Sequence, residues 1–241
     1  NVHNIADEGI PNPSELANSK LFQLLTDVNF NPLYTFRGKE NYGYTVFESE
    51  LNSNSINNSK KYDKVVCAST WNKEKMEAKG ITNTGVVIQG IDTNLFYPFP
   101  EQKTNNLFII FSGGKFELRK GQDLVIKAFS ILHKKYPDMI LINAWYNLWP
   151  ELLTSMKHST HIKYEMQGNT WHEFMSSVFV QNGIDLSKVF ILPLTPSEKL
   201  RDVYLKSDVG LFPNRCEGGT NLVLMEYMAC GKPAVASFNT G

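Results

Sequence analysis

Cysteine is scarce in this sequence of 241 residues. The three cysteines are Cys67, Cys216 and Cys230, an odd number with no paired spacing. Such usage argues against a framework of disulfide bonds and suits a reducing compartment. We therefore predict a cytoplasmic protein in which cysteine chemistry plays no part.

A surplus of charge and a long apolar run are also missing. Lys and Arg together number 24, as do Asp and Glu, so the formal net charge is zero. The bulk charge therefore gives no sign of a nucleic acid or of an anionic membrane as a partner. No apolar run is long enough to span a bilayer, and the first residues, "NVHNIADEG", lack the basic start and apolar stretch of a signal peptide. Peripheral membrane association is not readable from the sequence.

Apolar residues make up 42% of the chain and form alternating strand-like and helix-like segments. From residue 107 we predict strands at "LFIIF", "MILINAW", "VFILPL", "DVGLFP" and "AVAS". The helix "LVIKAFSILHKKY" is predicted to have one apolar face, made of Leu124, Ala128, Ile131 and Leu132, and "SEKLRDVYLKS" is a second helix. Strands that are continuous apolar runs are typical of parallel sheets covered on both faces. The predicted fold class is therefore α/β with parallel sheets.

The earlier part of the chain is harder to interpret. Residues 1 to about 61 are rich in Asn, Ser and Pro, with clear apolar runs only at "LFQLL" and "YTVF". "YDKVVCAS" and "GVVIQG" then predict strands, with a helix between them that is capped by Thr70 and stopped by Gly80. We predict a first domain at 1–95, a linker at 96–106 and a second domain at 107–241. Because the last strand opens a new unit at the end of the sequence, we expect an internal fragment, incomplete in both domains.

A carboxylate stands among apolar residues in "NRCEGGTNLVLMEYMACGKPAVAS". The predicted loop 214–220 follows a strand, and a helix from about 221 to 230 carries Glu226 beside its apolar face. Loops at the carboxyl ends of parallel strands are where open α/β sheets bind ligands. Burying this carboxylate without partners costs several kcal/mol. Either the protein's own groups satisfy it, or ligand hydroxyls do.

A cationic loop, "SGGKFELRKGQD", follows the first strand of the second domain. It carries Lys115, Arg119 and Lys120 within six residues. It is neither a Walker phosphate loop nor a dinucleotide fingerprint, since the glycine spacing differs and no Ser or Thr follows the Lys. A solvated surface run and an anion site both remain open. His158 and His161 have no Cys or acidic partner at a matching interval, so no metal is expected.

"EGGTNLVLMEYMACGKPAVAS" resembles the Glu-to-Glu motif of the retaining nucleotide-sugar glycosyltransferases of the GT-B fold, in particular the family-four group. The resemblance implies that Glu226 holds the ribose hydroxyls and that Glu217 meets the donor sugar. The residues between them are implied to offer main-chain N–H groups to sugar and phosphate: Gly218, Gly219, Thr220 and Asn221. The family usually has seven residues between the glutamates, and here there are eight. We assign the sugar contact to Glu217 and expect a one-residue bulge at Gly218 and Gly219 to accommodate the extra residue.

The cationic loop is similar to the motif with which this family grips the donor diphosphate, and the motif maps onto Lys115 and Lys120. The resemblance implies that Lys120 and Glu217 are the catalytic residues. A fixed cation such as Lys120 can stabilise the departing diphosphate as a metal would. No cofactor and no metal are expected. "YDKVVCASTWNKEKMEAKGI" and "GVVIQGIDTNLFYP" also look like the end of a first domain and the interdomain connection, so the resemblance covers roughly residues 40–241.

The implied protein has two Rossmann-like domains and transfers a sugar, with retention, from a nucleotide diphosphate sugar to a glycan, lipid or protein acceptor. The fragment need not be active alone. Two alternatives stay open: a non-catalytic module that binds nucleotide sugars, and a sugar-nucleotide epimerase or phosphorylase of the same fold. The sequence names neither the base, the sugar nor the acceptor.

Overall fold

The computed structural model describes residues 13–100 and 106–241. The chain divides into two compact units. The first contains the residues up to 89 together with 218–220 and 241, and the second contains 90–217 and 221–240. The predicted linker at 96–106 lies partly outside the described residues, as does the start of the predicted first domain, with His3.

The first unit contains a four-stranded parallel sheet in the order β1-β2-β3-β4. Its strands are β1 (Lys20–Leu24), β2 (Glu40–Thr45), β3 (Lys64–Cys67) and β4 (Thr84–Val86). Its helices are α1 (Pro13–Asn18), α2 (Ser53–Ser59) and α3 (Thr70–Ala78). The predicted cap of α3 is wrong by one residue, because Ser69 is the N-cap and its Oγ accepts the N–H of Asn72 at 3.1 Å. Two adjacent hydroxyl residues can each cap a helix, so the sequence does not separate them.

The second unit contains a five-stranded parallel sheet in the order β7-β6-β5-β8-β9. Its strands are β5 (Phe108–Gly114), β6 (Met139–Trp145), β7 (Val189–Ile191), β8 (Val209–Phe212) and β9 (Ala234–Ala236). Its helices are α4 (Gln122–Lys135), α5 (Pro150–Leu153), α6 (Trp171–Gln181), α7 (Ser197–Lys206) and α8 (Leu222–Ala229). Short 3-10 segments lie at Leu118–Lys120, Thr154–His158 and Leu186–Lys188. The predicted α/β class with parallel sheets is confirmed.

Both faces of the second sheet are covered, as the apolar strands predict. Leu141 and Trp145 of β6 belong to one apolar cluster, while Ile142 and Ala144 pack against another. Successive strand residues point to opposite faces. The first cluster contains buried residues of α4 and α6, and the second contains buried residues of α7 and α8.

The predicted apolar face of α4 is only partly right, because Leu132 packs against the first cluster but Ile131 does not. The helix buries Val125, Ile126 and Phe129, whereas Ile131 is 58% exposed. Both sets of residues recur with the helical period, so periodicity alone does not choose between them. The observed face places the large ring of Phe129 in the core, which the predicted face would have left near the surface.

The pairing of β5 with β8 positions the loops of interest. Ile110 lies opposite Val209 and Phe111 opposite Gly210, with both strands running in the same direction. The carboxyl ends of neighbouring parallel strands meet at one edge of a sheet. The loop after β5, with its cations, and the loop after β8, with Glu217, therefore leave the sheet side by side.

Candidate functional site

The carboxylate of Glu217 lies in the second unit, where it contacts the cationic loop. Its Oε1 is 2.5 Å from the Nζ of Lys120 and its Oε2 is 3.2 Å from a guanidinium nitrogen of Arg119. The side-chain amide of Asn214 also donates to Oε1. Glu217 is only 6% exposed. A carboxylate so deeply buried is tolerated because three donors surround it.

Arg119 extends this contact into a small charge cluster. Its second terminal nitrogen is 2.9 Å from Oε1 of Glu117, a residue that is itself buried. Arg119 also donates to the main-chain oxygen of Cys216 at 3.1 Å. Two carboxylates and two cations, Glu117, Glu217, Arg119 and Lys120, thus balance in formal charge. Two of the three cations in the predicted loop motif, Arg119 and Lys120, are partly buried here, which a solvated surface run would not show.

The ammonium group of Lys120 is shifted by this environment. Burial lowers its pKa below the ordinary value of 10.5, while attraction to Glu217 raises it, and burial prevails. Removing a lysine from water penalises its charged form. Lys120 therefore loses its proton at a lower pH than a lysine in solvent.

Lys115, the other predicted diphosphate ligand, has a different neighbour. Its side chain is exposed and its Nζ lies 4.1 Å from the centre of the Trp149 ring. An ammonium over the face of an indole is attracted by the negative centre of the ring. The main chain at Lys115 is held by the start of α4, because the side-chain amide of Gln122 donates to the main-chain oxygen of Lys115 at 2.6 Å.

Glu226 lies on α8 and is half-buried. Ser197 donates its hydroxyl to Oε1 at 2.8 Å, and Tyr204 donates its hydroxyl to Oε2 at 2.9 Å. Burial and the adjacent charge of Glu226 both raise the pKa of Tyr204, which is fully buried. The protein's own groups thus satisfy this carboxylate, and both partners are hydroxyls. Each carboxylate oxygen can accept a further hydrogen bond.

The remaining predicted residues follow Glu217 along the chain. The backbone bends at Gly218 and Gly219, and residues 218–220, which include Thr220, group with the first unit. Asn221 is the N-cap of α8, where its side-chain oxygen accepts the N–H of Leu224 at 3.2 Å. The sequence did not predict this capping role.

Five polar residues around the site were not predicted: Asn214, Arg215, Asp123, Ser197 and Tyr204. Asp123 pairs with Arg215 across 92 positions of sequence, and Tyr204 meets Glu226 across 22. Asp123 lies in the first turn of α4, where an acidic residue is explained by the helix dipole alone. No local pattern therefore pointed to these partners.

In the described parts of the chain, no three His, Cys, Asp or Glu side chains are grouped closely enough to hold a metal ion. His158 and His161 are accordingly without such a group. Within the same residues, no helix has the length and apolar character needed to cross a bilayer.

Comparison with known sequences identifies the family. Residues 107–241, more than half of the chain, match the family described as glycosyl transferases group 1. The chain belongs to this family. The match covers the cationic loop, the Glu217 loop and α8. No curated protein matches the sequence significantly.

Solved structures identify the fold. Sucrose-phosphate synthase from Thermosynechococcus elongatus superposes with a TM-score of 0.62 at 18% identity, over 86% of this chain and 52% of that one. Anabaena HepE in complex with UDP-glucose gives 0.59 at 19%, over 84% and 54%. The pneumococcal O-GlcNAc transferase GtfA in complex with UDP and GlcNAc gives 0.56 at 14%, over 83% and 37%. The predicted GT-B fold is confirmed. The chain spans about half the length of the first two proteins and 37% of the third.

Proposed function

We propose that this chain carries the donor site of a glycosyltransferase that moves a sugar, with retention, from a nucleotide diphosphate sugar to an acceptor. The observation that carries the proposal is the buried contact between Lys120 and Glu217, 2.5 Å apart where the loops after β5 and β8 meet. Membership of the glycosyl transferases group 1 supports it. So do similar structures described as complexes with UDP-glucose or with UDP and GlcNAc.

The proposed ligand of Lys120 and Lys115 is the diphosphate. Breaking the bond between sugar and diphosphate leaves a nucleoside diphosphate with added negative charge, which nearby fixed cations stabilise. An ammonium has three N–H donors, and Lys120 gives one to Glu217. Lys115 is exposed, so it can leave the Trp149 ring for an anion without breaking a buried contact. No metal is assigned to this step.

The two glutamates are proposed to bind hydroxyl groups. Glu217, held by Lys120, Arg119 and Asn214, presents its carboxylate to the donor sugar. Glu226 accepts from the ribose hydroxyls with the acceptor capacity that Ser197 and Tyr204 leave. On the family resemblance, the segment after Glu217 is proposed to offer main-chain N–H groups to sugar and phosphate: Gly218, Gly219, Thr220 and Asn221. A glycan, lipid or protein is the proposed acceptor.

Binding of nucleotide sugars tests the proposal directly. We expect one of the UDP-, GDP- or ADP-sugars to raise the melting temperature of the full-length protein and to release heat in calorimetric titration. Transfer to an acceptor then gives the nucleoside diphosphate as a product. Binding without turnover points to a non-catalytic module, and epimerised donor points to an epimerase. No binding of any of the three donors contradicts the proposed donor site.

Replacing Glu226 tests the proposed ribose contact separately from the other proposed donor contacts. In the binding assay above, Glu226→Ala removes charge-assisted hydrogen bonds of about 1.5–3 kcal/mol, so affinity falls by about 10- to 150-fold. The loss is smaller for a 2′-deoxyribose form of the same donor, because one partner hydroxyl is already gone. Glu198→Ala, at an exposed position of α7, leaves affinity unchanged. An equal loss with both forms of the donor contradicts the assigned ribose contact.

Donor affinity is expected to fall at alkaline pH. The pKa of Lys120 lies below 10.5 because of burial. As pH rises through that pKa, the free protein loses the charge that binds the diphosphate, and binding must take up a proton. Calorimetric titrations over a range of pH measure the fall. In Lys120→Arg the fall moves to higher pH, because guanidinium stays protonated. An unchanged profile in that variant excludes Lys120 as its origin.

A further inference from the structure

A second ion pair, between Arg215 and the buried Asp123, joins the Glu217 loop to the first turn of α4, which directly follows the Lys120 turn. Asp123 has no exposed side-chain surface, and Arg215 binds it with both terminal nitrogens, at 2.7 Å to Oδ1 and 2.8 Å to Oδ2. Ser159 donates its hydroxyl to Oδ2 at 2.7 Å. A two-pronged guanidinium–carboxylate contact fixes direction as well as distance.

Arg215 is also attached to the 3-10 turn that contains Lys120. One terminal nitrogen donates to the main-chain oxygen of Leu118 at 2.6 Å. The main-chain N–H of Arg215 donates to the oxygen of Arg119 at 2.7 Å, and that of Cys216 to the same oxygen at 3.3 Å. Backbone and side chain together therefore tie the segment before Glu217 to the turn Leu118–Lys120.

We infer that Asp123 and Arg215 are positioning residues, which hold the Glu217 loop against the Lys120 turn. Asp123 follows Lys120 by three residues, and Arg215 precedes Glu217 by two. A slip between the two loops therefore changes both ion pairs together. The inference rests on the proposed function in one respect, namely that the contact between Lys120 and Glu217 acts on the donor.

Stability alone is a weaker explanation of this pair. Removing the Asp123 carboxylate from water is costly, and well-packed apolar residues often stabilise a buried position as well or better. Directional contacts explain why a charged pair is used here, since Arg215 reaches both the carboxylate of Asp123 and the main chain of Leu118. Burial raises the pKa of Asp123, but hydrogen bonds from Arg215 and Ser159 outweigh it and leave the pKa below its ordinary value. The carboxylate of Asp123 therefore stays charged at neutral pH.

The test compares the Arg215→Ala variant with a control variant that loses a cation elsewhere in the same unit. Lys232 donates to the main-chain oxygens of Leu205 and Ser207, so Lys232→Ala removes a structural cation away from the two loops. In the full-length protein, NMR follows the titration of the Lys120 amine, and kinetics give kcat and KM for the donor. Arg215→Ala is expected to lower kcat tenfold or more, with KM changed less than threefold. The pKa of Lys120 moves towards its ordinary value because water enters the loosened turn.

The outcomes separate positioning from folding. Lys232→Ala leaves both the Lys120 titration and kcat at wild-type values, and Arg215→Lys, which keeps the charge without the fork, restores only part of the loss. If Arg215→Ala merely lowers the melting temperature and leaves titration and kcat unchanged, the inference is wrong. If it does not fold, Asp123→Asn is judged by the same two measurements. A wild-type protein without transfer activity overturns the proposed function, while the titration of Lys120 still decides the inference.

Discussion

Lys120→Ala is expected to reduce turnover by about 100- to 1,000-fold. Loss of one fixed donor to a developing negative charge typically costs about 2.7–4 kcal/mol of transition-state stabilisation. Lys120 is proposed as such a donor to the diphosphate, and its amine lies 2.5 Å from the carboxylate of Glu217. Steady-state kinetics of the full-length protein with its donor and acceptor measure the effect.

Two further variants make that result specific. Lys127→Ala removes a lysine at an exposed position of α4 and is expected to leave kcat unchanged. Lys120→Arg keeps the charge but changes its shape and reach, so partial activity is expected. Wild-type turnover in Lys120→Ala contradicts the catalytic role. A large rise in KM with kcat unchanged assigns Lys120 to ground-state donor binding instead.

Gly121→Ala is expected to destabilise the protein by about 3–4 kcal/mol, a large effect for one methyl group. Gly121 has a φ of 76°, where an L-residue costs roughly 1–2 kcal/mol. A Cβ there would also lie 2.0 Å from the main-chain oxygen of Pro213, so the backbone must move. For a chain of this size, the melting temperature then falls by roughly 6–16 °C, which differential scanning calorimetry measures.

Gly183 provides a matched control for the backbone term. It has a φ of 67°, and the nearest atom to an added Cβ is the Nζ of Lys134, 3.8 Å away. Gly183→Ala therefore tests the strain of a positive φ without a collision, at roughly 1–2 kcal/mol. Equal losses in the two variants would show that the approach of Pro213 to Gly121 contributes nothing.

Local patterns predicted most of the second unit. "MILINAW" matches β6 at both ends, because an apolar run interrupted only by Asn143 is typical of a strand buried in a parallel sheet. The apolar face of α4 was predicted only in part, with Leu132 packed on the core but Val125, Ile126 and Phe129 missed, since helical period does not specify which of two adjacent stripes meets the sheet. The first unit was predicted less completely, because polar residues occupy much of β2 and leave little apolar pattern.

The candidate site was also predicted only in part. Resemblance to a family selected Lys120 and Glu217, and the structure brings them together, although their roles stay predictions. Sequence could not show that Lys120 is partly buried while Lys115 is exposed, since both lie in one short run of cations. It also could not find the hydroxyl partners of Glu226 or the partner of Asp123. These contacts depend on packing between distant segments, and no spacing rule encodes them.

The neighbouring positions of β5 and β8 in the sheet have a kinetic consequence. The main-chain N–H of Ile109 donates to the carboxylate of Asp208, and this contact closes a loop across 99 positions. Contacts that close long loops lose much chain entropy before they gain any packing, so they form slowly. The turn with Lys120 and the helix after it can form from local contacts, whereas the contact of Lys120 with Glu217 also closes a loop across 97 positions. During refolding, competence to bind an anion between these loops should therefore appear later than helical structure.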